Sequence, residues 1–168
     1  MAKSTTGGRG TPATTAAARA KIAYTLHSYE TAAHADGDAK PYGAAAADAL
    51  GVPYERLFKT LLAEVDDDLT VAVVPVAANL DLKALAAAAG GKKARMAEPQ
   101  TAERVTGYVV GGISPLGQRR RLPTIVDDSA SRFATVFVSA GRRGLQIELA
   151  PADLVRLTAA RLAAIAKR

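Results

Sequence analysis

Apolar and polar side chains alternate over residues 22–29 (IAYTLHSY), with Ile22, Tyr24 and Leu26 on one face. That period predicts a half-buried strand. Two longer apolar runs, 58–65 (FKTLLAEV) and 69–77 (LTVAVVPVA), flank Asp66-Asp67-Asp68 and predict a hairpin. Pro75 has no N–H for a ladder, so the second strand is expected to bulge there or to lie at a sheet edge. Shorter apolar stretches predict strands at 108–111, 123–127, 134–139 and 145–149, the last two joined by AGRRG. Alanine-rich segments predict helices at 13–21, at 43–50 with Gly51 closing it, and at 81–89 with Asp81 as N-cap and Gly90-Gly91 as the stop. Pro99 and Pro151 open two more, at 99–105 and 151–167, where a missing N–H costs nothing. A further helical turn is expected at 53–57, and the polar stretch 30–42, broken by Gly37 and Pro41, reads as a loop. Residues 1–12 read as a flexible basic tail ahead of one domain at 13–168. Strands and helices mix without regular alternation, which predicts an α+β fold on a mostly antiparallel or mixed sheet.

Composition narrows the chemistry. The chain has 168 residues, 49% of them hydrophobic and only 5% aromatic, so one core of small aliphatic side chains is expected. It contains no cysteine, which excludes disulfides, thiolate nucleophiles and Cys-ligated metal. His27 and His34 alone cannot supply a structural zinc site, so neither metal nor cofactor is expected. The polar, glycine-rich start lacks a secretory core, and no run of about 18 apolar residues is free of charge. A cytoplasmic protein without a membrane span is the expectation. The net charge of +6 is compatible with a polyanionic partner.

The informative stretch is 107–121, GYVVGGISPLGQRRR. Gly111, Gly112 and Gly117 permit positive φ and close approach, and Pro115 stiffens the exit. Such a segment is either a tight connection or a cradle of peptide groups that binds a carbonyl or an oxyanion. Lys59 opens an apolar strand, opposite to Phe58 and Thr60 and on the side of Leu61. It is either an edge lysine facing water or a cation with a task on a buried face. Tyr29 ends the first strand as packing or as a pocket wall with one hydroxyl to offer. His27 reads as an ordinary strand residue and His34 as exposed. Three basic groups follow glycine-bearing turns: Lys92 and Lys93 with Arg95, Arg119 to Arg121, and Arg142 with Arg143. Each is either solvated loop charge or a phosphate contact. There is no phosphate-binding GxxxxGK[ST], GxSxG elbow or HExxH.

FKTLL (58–62), KKARMA (92–97), TGYVVGGISPLGQRRR (106–121) and VSAGRRGLQIELAP (138–151), with the spacing between them, resemble the YbaK/prolyl-tRNA synthetase-associated domain family. The likeness is nearest to its free-standing YbaK branch of Cys-tRNA(Pro)/Cys-tRNA(Cys) deacylases and covers roughly 13–157. It implies an α+β domain with a central mixed, partly barrel-like sheet flanked by helices. It also implies hydrolysis of the ester joining a mischarged amino acid to tRNA, without metal. The family lysine falls on Lys59, its G-x-x-x-P loop on Gly111, Gly112, Ile113, Ser114 and Pro115, and its early tyrosine on Tyr29. By that likeness Lys59, Gly111 and Tyr29 are expected to be catalytic and Gly112 to Pro115 to bind substrate. The basic groups are expected to hold tRNA, and prolyl-tRNA synthetase is a plausible partner. Cys-tRNA(Pro) is the expected substrate, the cysteine thiol attacking its own ester. Another mischarged tRNA such as Ala-tRNA(Pro), or a non-catalytic tRNA- or synthetase-binding module, stand as alternatives. Family members usually follow the tyrosine with an acidic-His-Asp run. Here His34 is displaced, so no role is carried to 30–42.

Overall fold

The computed structural model describes residues 3–5, 10–31 and 41–168. Its elements are β1 (Lys3–Thr5), α1 (Pro12–Arg19), β2 (Tyr24–Ser28), α2 (Tyr42–Leu50), β3 (Phe58–Val65), β4 (Asp68–Pro75), β5 (Asn79–Leu80), α3 (Leu82–Ala88) and β6 (Ala94–Met96). They continue with α4 (Pro99–Thr106), β7 (Thr124–Asp127), a 3-10 turn (Asp128–Arg132), β8 (Val136–Arg142), β9 (Leu145–Leu149), α5 (Pro151–Thr158), β10 (Arg161–Ala163) and β11 (Ala166–Lys167).

A four-stranded antiparallel sheet runs β1-β2-β9-β8. A five-stranded mixed sheet runs β10-β7-β4-β3-β6, and β11 pairs with β5. A parallel bridge between Leu57 and Phe137 joins the two larger sheets. Among the described residues the sheets do not close into a barrel; the two larger ones share the main core, with helices against them.

β4 explains why its sequence is a continuous apolar run. Val71 and Val73 enter the main core with Phe58, Leu62, Val138, Ile147 and Leu149. Ala72 and Val74 enter a second core with Ala63, Val65, Leu85 and Ile165. Both faces are covered, and an inner strand of that kind loses the polar half of its alternation. Pro75 therefore does not mark an edge or a bulge. The β3–β4 register is regular, and Pro75 sits at the last rung, opposite Phe58, beyond the residues 71–73 that pair with β7. Its missing N–H falls where no neighbour asks for one.

Asp81 caps α3 by accepting from the Ala84 N–H at 3.1 Å, as its position predicts. Three expectations change. Residues 108–111 form no strand: the Val110 N–H donates to Glu103 Oε2 at 2.8 Å and the Gly112 N–H to the Val109 carbonyl at 2.8 Å, which turns the chain. The helix at 151–167 stops at Thr158, where Ala159 takes a left-handed φ of 53°. Beyond it the Ile165 and Ala166 N–H groups both donate to Asp127 Oδ1 at 3.0 Å, which draws the segment into two strands. Within the expected tail, Lys3–Thr5 pairs with β2 as β1. Residues 94–96, for which the sequence pattern predicts no element, form strand β6, paired with 63–65. His34 and Gly37, in the expected loop, lie outside the described residues.

Candidate functional site

β3 carries the site because its two edges are paired unequally. β4 pairs with all of 58–65, but β6 pairs only with 63–65. Leu62 still accepts from the Ala97 N–H at 3.0 Å across that gap. In an antiparallel ladder the backbone groups of alternate residues face the same edge, so those of Thr60 point the same way as those of Leu62, into open space. A cavity of about 290 Å³ lies there. An edge-on view of a strand exposes successive residues, which explains why Lys59, Thr60 and Leu61 all line it.

The other walls come from Pro41, Tyr42 and Gly43 at the start of α2, from Met96 to Ala102 around the start of α4, and from Val110, Gly111 and Ile113. Ser139 and Gln146, opposite one another on β8 and β9, complete the lining. Most of this surface is apolar. Lys59 is half-buried in it, with neither an ion pair nor a hydrogen bond to any described residue. Burial pushes its ammonium pKa below the usual 10.5, since no counter-ion offsets the lost hydration.

Gly111 has φ of +90°, and a Cβ there would lie 2.8 Å from the Tyr42 ring and 2.9 Å from Arg143 Nε. Only glycine fits this position. Arg143 closes the same corner. Its Nε and Nη2 donate to the Val110 carbonyl at 2.9 and 2.7 Å, and its guanidinium stacks 4.6 Å from the Tyr42 ring centre. The backbone of the β8–β9 turn meets Gly112, whose added Cβ would sit 2.8 Å from the Arg142 Cα.

The polar floor is incompletely bonded. Gln146 is 5% exposed, and its Nε2 donates to the Tyr29 hydroxyl at 3.4 Å. Its Oε1 and the Thr60 Oγ1 are buried with no hydrogen-bond partner. Two buried oxygens left open in the cavity that Lys59 also lines are costly in an empty protein and useful in a liganded one. Next to the floor, Glu148 binds His27 Nε2 at 2.8 Å, Arg56 Nη2 at 3.1 Å and the Thr135 hydroxyl at 2.6 Å. Burial alone would raise the Glu148 pKa. The hydrogen bonds from Thr135 and His27 and the charges of His27 and Arg56 overcome it and hold that pKa below the ordinary value. His27 is thus a bracing residue beside the floor.

The structure brings Lys59, Gly111 and Ile113 to one cavity. Tyr29 does not line it and touches it through Gln146. Gly112, Ser114 and Pro115, expected to bind substrate, are buried behind the wall. Ser114 Oγ accepts from the Leu116 N–H at 3.1 Å, so these residues hold the shape of the loop. Lys92 and Lys93 lie at the far end of the β3–β4 hairpin, where their N–H groups bind the Asp66 carboxylate. Arg121 lines a separate small cleft with Pro115 and Leu157. Sequence reasoning missed Thr60, Gln146, Ser139 and Tyr42. The one signal for Thr60 was its place after Lys59, while Gln146 reads as the wet face of LQIEL. None of the described lining residues is His, Asp, Glu or Cys. Among the described residues, no group of three or more His, Cys, Asp or Glu is placed to hold a metal ion, and no helix is long and apolar enough to cross a membrane.

A model of the aminoacyl-tRNA editing domain matches residues 38–157 of this chain. A protein of Enterococcus faecalis, assigned as the Cys-tRNA(Pro)/Cys-tRNA(Cys) deacylase EbsC, is 42% identical over 120 residues, which are 71% of this chain and 73% of that one. The hypothetical protein APE2540 superposes with a TM-score of 0.81 at 23% identity, covering 94% of this chain and 100% of that one. A structure described as a trans-editing enzyme for prolyl tRNA synthetase superposes with a TM-score of 0.78 at 21% identity, covering 96% and 100%.

Proposed function

The chain belongs to the aminoacyl-tRNA editing domain family and is an aminoacyl-tRNA deacylase; from that premise we propose that it clears cysteine from tRNA(Pro), using the substrate's own thiol. The observation that carries this reading is one small cavity lined by the Lys59 ammonium, which has no partner among the described residues, by the open Thr60 and Gln146 oxygens, and by Gly111. At about 290 Å³ the cavity is at the lower end for a small-molecule site. That size suits an aminoacyl ester and its ribose, with the rest of the nucleic acid outside.

The described lining offers no carboxylate, imidazole or thiol to act as nucleophile or general base. A substrate that brings its own nucleophile removes the need for one. The cysteine sulfur attacks the ester carbonyl, the new S–C bond replaces the C–O bond, and the thiol proton leaves with the ribose oxygen. The product thiolactone is then open to water. In this reaction the protein positions and stabilises. Peptide groups at Gly111 hold the carbonyl, and Lys59 faces the terminal nucleotide or its phosphate as a fixed cation. Gln146 Oε1 and Thr60 Oγ1 accept from the α-ammonium, with Tyr29 keeping the Gln146 amide turned. Prolyl-tRNA synthetase is the partner from which charged tRNA would pass.

The test is a panel of charged tRNAs given to purified protein. Cys-tRNA(Pro) is expected to lose its amino acid at least about 100-fold faster than Ser-tRNA or Ala-tRNA(Pro), because both lack the thiol. Equal loss of the serine ester rules out thiol assistance, and preferred loss of alanine reassigns the substrate.

A further inference from the structure

The basic groups are not alike. Their surroundings separate them into two regions of opposite character. At the tip of the β3–β4 hairpin, Lys92, Lys93 and Arg95 stand among Glu64, Asp66, Asp67 and Asp68, three cations against four acids. Arg95 pairs with Glu64 at 2.6 Å, and the Asp66 carboxylate is bound to the Lys92 and Lys93 backbone. The tip therefore presents no net positive field.

The second region flanks residues 107–112, the segment that brings Gly111 to the cavity. The Arg119 N–H donates to the Thr106 carbonyl at 2.9 Å and the Arg120 N–H to the Val105 carbonyl at 3.0 Å, which anchors both at the end of α4. Arg104 lies on α4 itself, and Arg119 Nη1 reaches its carbonyl at 3.5 Å. Arg142 packs its backbone on Gly112 from the other side. Arg104, Arg119, Arg120 and Arg142 are all exposed, and none has a carboxylate within ion-pair distance among the described residues. The acid within this segment, Glu103, is already bound to the Val110 N–H. Arg143 is committed to Val110 and Tyr42, so it sets the rim without being free to leave it.

We infer that Arg104, Arg119, Arg120 and Arg142 form the track for the backbone phosphates of the nucleic-acid strand whose acylated end enters the cavity, and that the lysine-bearing hairpin tip takes no part. Unpaired guanidinium groups on a backbone-anchored ridge suit phosphate, which they bind in a fork. Arg119 packs on Gly107 and Arg142 on Gly112, the two ends of the segment that carries Gly111, which sets that charge next to the end of the strand rather than along a distant stem. The inference rests on the deacylase reading for its ligand.

The experiment compares two variants by binding of uncharged tRNA, read by fluorescence anisotropy at several salt concentrations. One carries Arg119→Glu, Arg120→Glu and Arg142→Glu; the other carries Lys92→Glu and Lys93→Glu. Each phosphate contact contributes roughly 0.7–0.9 to the slope of log affinity against log salt. The arginine variant is expected to bind about tenfold or more weaker, with a slope shallower by about 2. The lysine variant should match the parent. Equal losses in both variants, or an unchanged slope in the arginine variant, overturns the inference. Circular dichroism checks folding, and Arg120→Gln with Arg142→Gln repeats the test without reversed charge should the triple variant unfold. The readout needs no turnover. A protein that binds through the ridge but releases no amino acid leaves the track standing and refutes the deacylase reading. An active enzyme indifferent to the ridge does the opposite.

Discussion

The two sides of the β3–β4 hairpin treat buried polar atoms in opposite ways. Along the β4 edge, where β7 pairs, Asp127 is 2% exposed and every lone pair is used: Oδ1 accepts from the Ile165 and Ala166 N–H groups, Oδ2 from the Ser129 N–H and hydroxyl. Along the β3 edge, at the cavity, Thr60 Oγ1 and Gln146 Oε1 are buried and unbonded among the described residues, and Lys59 holds a cation with no counter-ion among them. A carboxylate with four donors is scaffolding. Acceptors and a charge left open at a cavity wall await a ligand that brings the missing donors and anion.

The largest effect should come from the satisfied side. Asp127→Ala leaves the buried Ile165 N–H without an acceptor and releases β10 and β11, at a cost of about 3 kcal/mol. Urea denaturation measures it, and a loss below about 1 kcal/mol would erase the distinction between the two sides. Lys59→Met should act in the reverse sense, with kcat/KM down about 100-fold, equivalent to ~2.7 kcal/mol of transition-state binding, and no loss of melting temperature. The sign follows from its lowered pKa. Between that value and the ordinary 10.5 the folded protein holds fewer protons than the unfolded chain, so stability rises with pH through that window. At neutral pH the buried charge is a burden, and deleting it relieves the fold. A variant that is both active and less stable would make Lys59 structural. The smallest effect belongs to Glu148. Its folded pKa is lowered, so its contribution is complete above the ordinary 4.5 and is lost as pH falls through the folded value. Glu148→Gln should therefore flatten the acid limb of the stability profile, measured by thermal melts from pH 6 to pH 3.

Much of the scaffold was readable because local rules suffice for it. The hairpin followed from two apolar runs about an acidic turn, and Asp81, Pro99 and Gly51 marked helix ends through their own backbone chemistry. The failures share a cause in long-range bonds. Residues 159–167 have the composition of a helix, but Asp127, more than thirty positions away, competes successfully for their N–H groups. Likewise, Val109 and Val110 suggest a strand until Glu103 and Arg143 are seen to claim the backbone of Val110. In the site, Lys59 and Gly111 were legible from distinctive phrases. Gln146 was not, since alternation puts it with Glu148 on the polar side of β9, and only the packing of α2 and Leu57 against Phe137 shows that this side is covered.

The pairing of Asp127 with Ile165 and Ala166 also orders events during synthesis. A chain still attached to the ribosome can make the β3–β4 hairpin early, since its partners are adjacent. The layer that seals Val74 and Leu85 beneath Ile165 has to wait until that residue has left the exit tunnel. Until then a nascent chain exposes the apolar surface of Val74 and Leu85 that Ile165 later covers.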